Sequence, residues 1–441
     1  MSDMKNHLLT KIKDKTMLIG VIGMGYVGLP LSVEKAKAGY KTIGFDTSAE
    51  RVKMLNEGEN YIGDVVEDDL KTLVDNGMIV ATGDYSKLSE VDFIAICVPT
   101  PLDAYQQPDV SYIKSSAEDI AKYMKPNSIV VLESTTYPGT TRELLCPILE
   151  KGSGLKCGED FYLGFSPERV DPGNEIYKTG NTPKVVGAIG KDATEVIATM
   201  YRNVLDGDIF EASTPEIAEM EKILENTYRN INIGLMNELA QLCHRMKIDV
   251  WEVVEAAKTK PYGFQAFYPG PGVGGHCIPL DPYYLSWKAR EFGFHTSMIE
   301  TSMTINDGMP EYCVERASHI LNRMGKPLNK SNILLLGITY KPNIDDFRES
   351  PAVVVYGLLE SMGANVSFYD PHSPNFYYRG KTYGSEKSLS AEILEKADLV
   401  IITSDHNDID YALVRDKAKA VFDTKNGMRS RGIFGDNIEV L

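Results

Sequence analysis

Two series of short β-branched runs, each opening on a strand–turn–helix pattern, flank a long helical stretch. These three observations predict an α/β protein with two Rossmann-like doubly wound domains, joined by a long central helix and a helical middle domain. The expected limits are 1–212, 213–312 and 313–441. A chain of 441 residues has room for two or three domains, and its 43% hydrophobic content excludes wholesale disorder. The net charge of −16 argues against general nucleic-acid binding, so an anionic ligand must be held by local donors. No apolar run approaches the ~20 residues a bilayer requires. Residues Met1 to Lys15 lack the apolar core and cleavage site of an export signal. The six cysteines are scattered, with no CxxC pair, which fits a reduced cytoplasmic protein and gives no disulfide framework or metal site.

The first series begins with Met17–Ile22, apolar and of strand length. It turns through Gly23-Met-Gly25-Tyr-Val-Gly28 and enters a helix over Leu29–Ala38, with Pro30 near its start and Gly39 past its end. A second strand, Lys41–Phe45, ends at Asp46. A GxGxxG alone is weak evidence, but here the strand, the helix and the acid about 20 residues on are all present. Gly23 permits the tight turn, Gly25 lets the backbone approach a pyrophosphate, and Gly28 lets helix and strand pack closely. The helix N-terminus supplies N–H donors and positive potential to the phosphates. Asp46 would accept from the adenosine ribose hydroxyls and repel a 2′-phosphate, which favours NAD over NADP. Within this loop Tyr26 and Val27 are expected to contact the cofactor, as is Arg51 beyond Asp46. Further strands over Val91–Val98 and Ser128–Leu132 run into Pro99-Thr-Pro101 and Glu133–Gly139, placing Thr100 and Thr135 at the strand ends where ligands of such sheets lie.

The second series repeats the plan. Asn332–Gly337, Gly363–Asp370, Ala397–Ile402 and Ala420–Asp423 read as strands. The turn after the first carries no GxGxxG; in its place stands Ile338–Ser350, with Lys341 and Arg348. A longer basic loop there suggests a nucleotide other than NAD, held by side-chain charge as well as backbone. Lys425 adds a cation at a neighbouring strand end.

Between the series, Ser213-Thr-Pro-Glu216 is a helix start, and the helical pattern continues to about Met246. Lys222, Asn226 and Asn230 are spaced to stack on one face. Repeated Asn in a helix, where it is a poor former, suggests specific hydrogen bonding. Tyr268-Pro-Gly-Pro-Gly-Val-Gly-Gly-His-Cys277-Ile-Pro-Leu-Asp281 follows. Its four glycines permit close backbone approach to a ligand, and Cys277 follows them directly. Asp281 would lie one turn on if a helix begins there. A Cys–His dyad with His276 lacks a supporting pattern, and the other five cysteines read as small hydrophobes.

An enzyme that only interconverts alcohol and ketone needs an acid or base, whereas a thiolate has a task when the first product is an aldehyde. Its addition gives a thiohemiacetal, a second hydride loss gives a thioester, and water releases the acid. NAD, a second nucleotide site and an accessible thiol together point to four-electron oxidation of a primary alcohol on a nucleotide-linked molecule.

Across the whole chain, Gly23–Pro30, Cys97–Pro101, Glu133-Ser-Thr135, Ser166-Pro-Glu168, Lys222 with Asn226, Gly274-Gly-His-Cys277 through Asp281, and Lys341–Ser350 resemble the UDP-glucose/GDP-mannose dehydrogenase family. The resemblance implies NAD in the first domain, a UDP-sugar in the second, and a homodimer or higher homo-oligomer. By it, Cys277 is the nucleophile and Lys222 stabilises oxyanions and the thiolate. Thr135, Asn226 and Asp281 position water and substrate, Asp281 assisting proton transfer, and Glu168 handles the hydrolytic water. Arg169, Tyr268 and Gly274 are implied as substrate contacts, and Lys341, Arg348 and Lys425 as UDP or subunit contacts. Arg169-Val170 stands where the UDP-glucose branch continues Phe-Leu. With Asp171–Asn174, Phe267–Gly272 and Cys277–Leu285, this resembles the UDP-N-acetylhexosamine branch. The expected substrate is UDP-N-acetylglucosamine in surface-polysaccharide synthesis, with UDP-glucose, UDP-N-acetylmannosamine and UDP-N-acetylgalactosamine as rivals. A nucleotide-sensing protein without turnover is the non-enzymatic alternative.

Overall fold

An eight-stranded sheet organises the first half of the chain in the structure, a computed structural model that describes residues 3–63, 65–171, 174 and 176–441. Pro172 and Gly173 of the stretch after Glu168 lie outside the described residues. The strands are β1 (Ile19–Ile22), β2 (Thr42–Phe45), β3 (Ile79–Thr82), β4 (Phe93–Ile96), β5 (Ser128–Leu132), β6 (Phe161–Phe165), β7 (Lys184–Ala188) and β8 (Ile209–Ala212). Their spatial order is 3-2-1-4-5-6-7-8, parallel except for the antiparallel β6–β7 pair. Strands β1, β2, β4, β5 and β6 are buried along their whole length, which is why they read as unbroken apolar runs. The order reverses between β1 and β4, so the turns after these strands diverge and open a crevice at their carboxyl ends.

The second sheet contains β9 (Asn332–Leu336), β10 (Asn365–Tyr369), β13 (Leu399–Ile402), β14 (Val421–Asp423) and β15 (Ile438–Val440), all parallel in the order 10-9-13-14-15. A hairpin of β11 (Asn375–Tyr378) and β12 (Lys381–Gly384) accompanies it. Its reversal lies between β9 and β13, so Gly337–Ser350 occupies the place that Gly23–Gly28 holds in the first sheet. The predicted α/β class and both doubly wound sheets are present.

Two compact units emerge: Met1–Glu225 with Tyr283–Gly293, and Asn226–Pro282 with Phe294–Leu441. The helix Pro215–Met246 runs unbroken through 32 residues, about 48 Å at 1.5 Å per residue. Gly234 does not interrupt it: a Cβ there would sit 3.1 Å from Ser302 Cβ, so the glycine allows the helix Ser297–Asp307 to pack closely. The polar-looking start is a helix, Asp3–Lys13. Met4, Leu8 and Ile12 enter the core, while Lys5 Nζ pairs with Asp192 and Glu195 at 2.9 and 2.7 Å. Among the described residues no helix is long and apolar enough to cross a membrane.

Candidate active site

The turn after β1 has the geometry of a phosphate cradle. Gly23 adopts φ +89°, and a Cβ there would lie 2.6 Å from the Cys97 carbonyl oxygen. The space beyond Gly25 is open, with no atom within 4 Å of a Cβ position. A Cβ on Gly28 would fall 1.9 Å from Gly23 O, so helix Gly28–Lys37 can approach the turn only because that residue is glycine. Asp46, at the end of β2, is 7% exposed. Its Oδ2 accepts from Met24 N at 3.0 Å and its Oδ1 from Ser48 N at 2.8 Å. These bonds fix the carboxylate beside the turn with lone pairs to spare. Arg51 Nη1 lies 3.6 Å from Asp46 Oδ2. Tyr26 is exposed and Val27 half-buried in the turn. The open Gly25 face and the fixed acceptor fit a dinucleotide with free ribose hydroxyls.

Thr100 and Thr135 are half-buried at the ends of β4 and β5. The Thr100 carbonyl accepts from the Tyr284 hydroxyl. Next to Thr135, Thr136 is buried with its hydroxyl against that of Thr140 at 2.9 Å. Glu168 is held by its own backbone: Oε1 accepts from Arg169 N at 2.8 Å and Val170 N at 3.0 Å. Its Oε2 lies 3.7 Å from Lys184 Nζ. Lys184 in turn meets Glu133 at 2.7 Å, and the Tyr201 hydroxyl donates to the other Glu133 oxygen. Burial works against the Lys184 charge, yet the Glu133 and Glu168 carboxylates outweigh it and hold the pKa above the ordinary lysine value. Burial lowers Lys35, above the Phe93 ring, to about 8. Burial, with Glu133 nearby, pushes the Cys97 thiol well above its usual range, so Cys97 is an inert core residue. Neither Lys184 nor Tyr201 stands in a motif; the one signal in the sequence is a lysine opening the apolar run Lys184-Val-Val-Gly-Ala188. Arg169 is fully engaged, with Glu225, with Glu221 at 3.5 Å, and with the Pro183 carbonyl at 3.1 Å.

In the second unit the thiol loop is bound to the long helix. A helix begins at Asp281, and Asp281 N donates to the Cys277 carbonyl at 2.9 Å, so Asp281 lies one turn on from Cys277. Asp281 is 2% exposed and accepts from Asn226 Nδ2 at 2.5 Å, while Cys277 is half-buried. Lys222, 6% exposed, precedes Asn226 by one turn of the same helix. The glycines before Cys277 are there for protein contact: a Cβ on Gly274 would lie 2.5 Å from Tyr340 Cβ and 2.9 Å from Glu349 O. The loop therefore lies flush against the segment after β9. Tyr268 is exposed, donates to Glu255 at 2.6 Å and stacks on Trp251.

The segment after β9 is braced from β10 and β13. Asp370 accepts from Ile338 N at 2.7 Å and faces His406 Nε2 at 3.0 Å, while His406 Nδ1 accepts from Asn343 N at 3.0 Å. Lys341 is half-buried on this brace. Arg348 forms a bidentate pair with Asp346, Nε to Oδ1 at 2.9 Å and Nη2 to Oδ2 at 2.6 Å, which fixes the direction of its guanidinium. Lys425 Nζ comes within 3.5 Å of a Cβ position on Gly270, at the start of the thiol loop.

Three sequence models of one family match this chain: its NAD binding domain over residues 17–205, its central domain over 216–308 and its UDP binding domain over 334–430. The chain is 37% identical over 417 residues to Protein CapL of Staphylococcus aureus, covering 93% of this chain and 96% of that protein. It is 37% identical over 357 residues to UDP-N-acetyl-D-glucosamine 6-dehydrogenase of Pseudomonas aeruginosa, covering 81% and 83%. The solved structure of the UDP-D-ManNAc dehydrogenase of Pyrococcus horikoshii superposes with a TM-score of 0.87 at 31% identity, covering 96% of this chain and 98% of that one. The chain belongs to the UDP-glucose/GDP-mannose dehydrogenase family and is an NAD-dependent UDP-sugar dehydrogenase.

Proposed function

We propose that this protein oxidises the C6 hydroxyl of UDP-N-acetylglucosamine to the uronic acid, on Cys277, in the cytoplasm and for surface-polysaccharide synthesis. The observation that carries the proposal is the thiol loop, in which the carbonyl of a half-buried cysteine accepts from the backbone N–H of Asp281, whose carboxylate is itself held by Asn226. A nucleotide-binding module needs no such constellation. The Pseudomonas relative named for UDP-N-acetylglucosamine supports this sugar, and the Pyrococcus structure named for UDP-D-ManNAc makes the mannosamine epimer the first rival.

NAD would supply the hydride acceptor when bound, one molecule for each of the two oxidations. Gly23, Gly25 and Gly28 give its pyrophosphate backbone room, and Asp46 accepts from its ribose. Cys277 Sγ bonds C6 of the aldehyde while the carbonyl oxygen takes up the proton that the thiol gives up. After the second oxidation that carbon is a thioester, and water breaks the C–S bond, releasing the acid and restoring the thiol. Asp281 and Asn226 orient the oxygen on C6, and Lys222 favours the thiolate and the oxyanion. Glu168, with its carboxylate fixed by two backbone N–H groups and Lys184, takes the proton of the hydrolytic water. Thr135 positions that water. Lys341, Arg348 and Lys425 hold the UDP phosphates, with Gly274, Tyr268 and Arg169 bordering the sugar. The three parts 1–212, 213–312 and 313–441 divide cofactor, thiol and UDP duties. A second copy of the chain covers the long helix, whose exposed Ile217, Met220, Leu224, Tyr228, Leu235 and Leu242 repeat at heptad-like spacing.

A panel of UDP-sugars with NAD tests the proposal. Two NADH should form per UDP-N-acetylglucosamine consumed, with UDP-glucose turned over at least about tenfold more slowly, the least that one missing group in a fitted pocket commands. A preference for UDP-N-acetylmannosamine would reassign the sugar, one NADH per sugar would reject the thioester route, and no NADH from any sugar would favour the binding-protein reading.

A further inference from the structure

Three asparagines and a serine, all buried, connect the long helix, the helix Ser297–Asp307 and the two ends of the thiol loop. Asn237 Oδ1 accepts from Gly270 N at 2.9 Å, where the loop begins. Asn237 Nδ2 donates to Asn306 Oδ1 at 2.8 Å. Asn306 Nδ2 donates back to Asn230, to its carbonyl at 3.0 Å and its Oδ1 at 3.2 Å. Ser302 Oγ donates to the same Asn230 Oδ1 at 2.9 Å. Asn230 Nδ2 then donates to the Ile278 carbonyl at 3.1 Å, immediately after Cys277. Asn237 is 0% exposed, and Asn230 and Asn306 are 2% exposed.

We infer that this relay, Asn237–Asn306–Asn230 with Ser302, positions the Cys277 thiol for reaction. An asparagine buried in a helix interior carries a polar side chain that must be matched bond for bond, and a leucine there would pack at no such cost. Each amide in the relay is matched, and the chain of bonds terminates on backbone atoms on either side of the thiol, at Gly270 and Ile278. Beside the relay, the loop is held by packing of Gly274 and Gly275 on Tyr340 and by the Asn226–Asp281 bond, and its own side chains add little. Its glycines lack side chains, and Gly272 and Gly275 take φ of +134° and +92°, so its shape is imposed from outside. Because Asn226, on the same helix, fixes Asp281, the thiol and its carboxylate are referenced to one rigid element. Relay residues touch no substrate; they act through the loop. A displacement of about 1 Å at a reacting atom costs on the order of 100-fold in rate.

The inference rests on the proposed role of Cys277, and the experiment separates the two. Asn237→Ala and Ser302→Ala are compared with wild type for kcat, for KM of the UDP-sugar and NAD, and for the pH profile of iodoacetamide alkylation of Cys277, followed by peptide mass spectrometry. The expected result for Asn237→Ala is a kcat lower by about 10- to 100-fold with both KM values within about threefold, and an alkylation profile displaced from wild type. Ser302→Ala, which removes one bond of the relay, should show the same pattern with about a two- to fivefold loss. It provides the test by itself if Asn237→Ala does not fold. Unchanged kcat and alkylation profile in the folded variants would overturn the relay. Failure of the wild-type enzyme to give two NADH would instead strike the Cys277 route, and the alkylation profiles would still decide the relay.

Discussion

Cys277→Ser is expected to lower uronic acid formation by at least about three orders of magnitude, about 4 kcal/mol of transition-state stabilisation, while UDP and NAD bind as before. A serine hydroxyl has the size and place of the thiol but almost no anion near neutral pH, whereas a thiol has a few per cent even when unperturbed. The chemistry after the aldehyde therefore lacks its nucleophile. The loop conformation should survive, because the Asp281 N–H to Cys277 carbonyl bond and the asparagine bonds to Gly270 and Ile278 are all made to backbone atoms of the loop. Steady-state assays of acid production, with calorimetric titration of UDP and NAD, separate these effects. Undiminished acid production would remove Cys277 from the reaction.

The second large effect is at the cofactor. Asp46→Ala should raise KM for NAD by about 10- to 100-fold, the value of one charge-assisted hydrogen bond of about 1.5–3 kcal/mol. It should also relax discrimination against NADP, since a carboxylate at the ribose repels a 2′-phosphate. Alanine also frees Met24 N and Ser48 N, which Asp46 now ties, so Asp46→Asn is the informative companion. It keeps an oxygen acceptor and removes the charge. If both variants preserve the NAD over NADP preference in steady-state kinetics, Asp46 is a brace for the turn and not the ribose acceptor.

Local signals carried most of the fold. Strand β5 occupies Ser128–Leu132 as read, and the turn Gly23–Gly28 sits where its glycines require, because each feature depends on neighbours within about ten residues. The N-terminal helix was missed, although Met4, Leu8 and Ile12 recur every four residues; their partner helix Lys191–Arg202 lies far along the chain. Strand β8 carries no alternation to mark it, since it exposes Phe210 and Glu211, whereas β6 and β7 are fully buried five-residue runs whose apolar signal is short. The site was legible in part. Asp281 lies one turn on from Cys277 as their spacing suggested, whereas Asn226 reaches the Asp281 carboxylate by a contact across 55 residues that only the family resemblance implied. The glycines ahead of Cys277 were read as making room for a ligand, whereas Gly274 makes room for Tyr340, 66 residues later. The Lys184–Glu133 pair is likewise a tertiary event between strand ends 51 residues apart, and no periodicity announces it.

The central claim is a covalent sugar on one sulfur, and rapid quenching of a single turnover tests it most directly. With Glu168→Gln to slow hydrolysis, peptide mapping after acid quench should find the UDP-sugar acyl group on the peptide carrying Cys277 and on no other cysteine peptide. Acid released at the wild-type rate, with that peptide unmodified at every time point, would contradict the account.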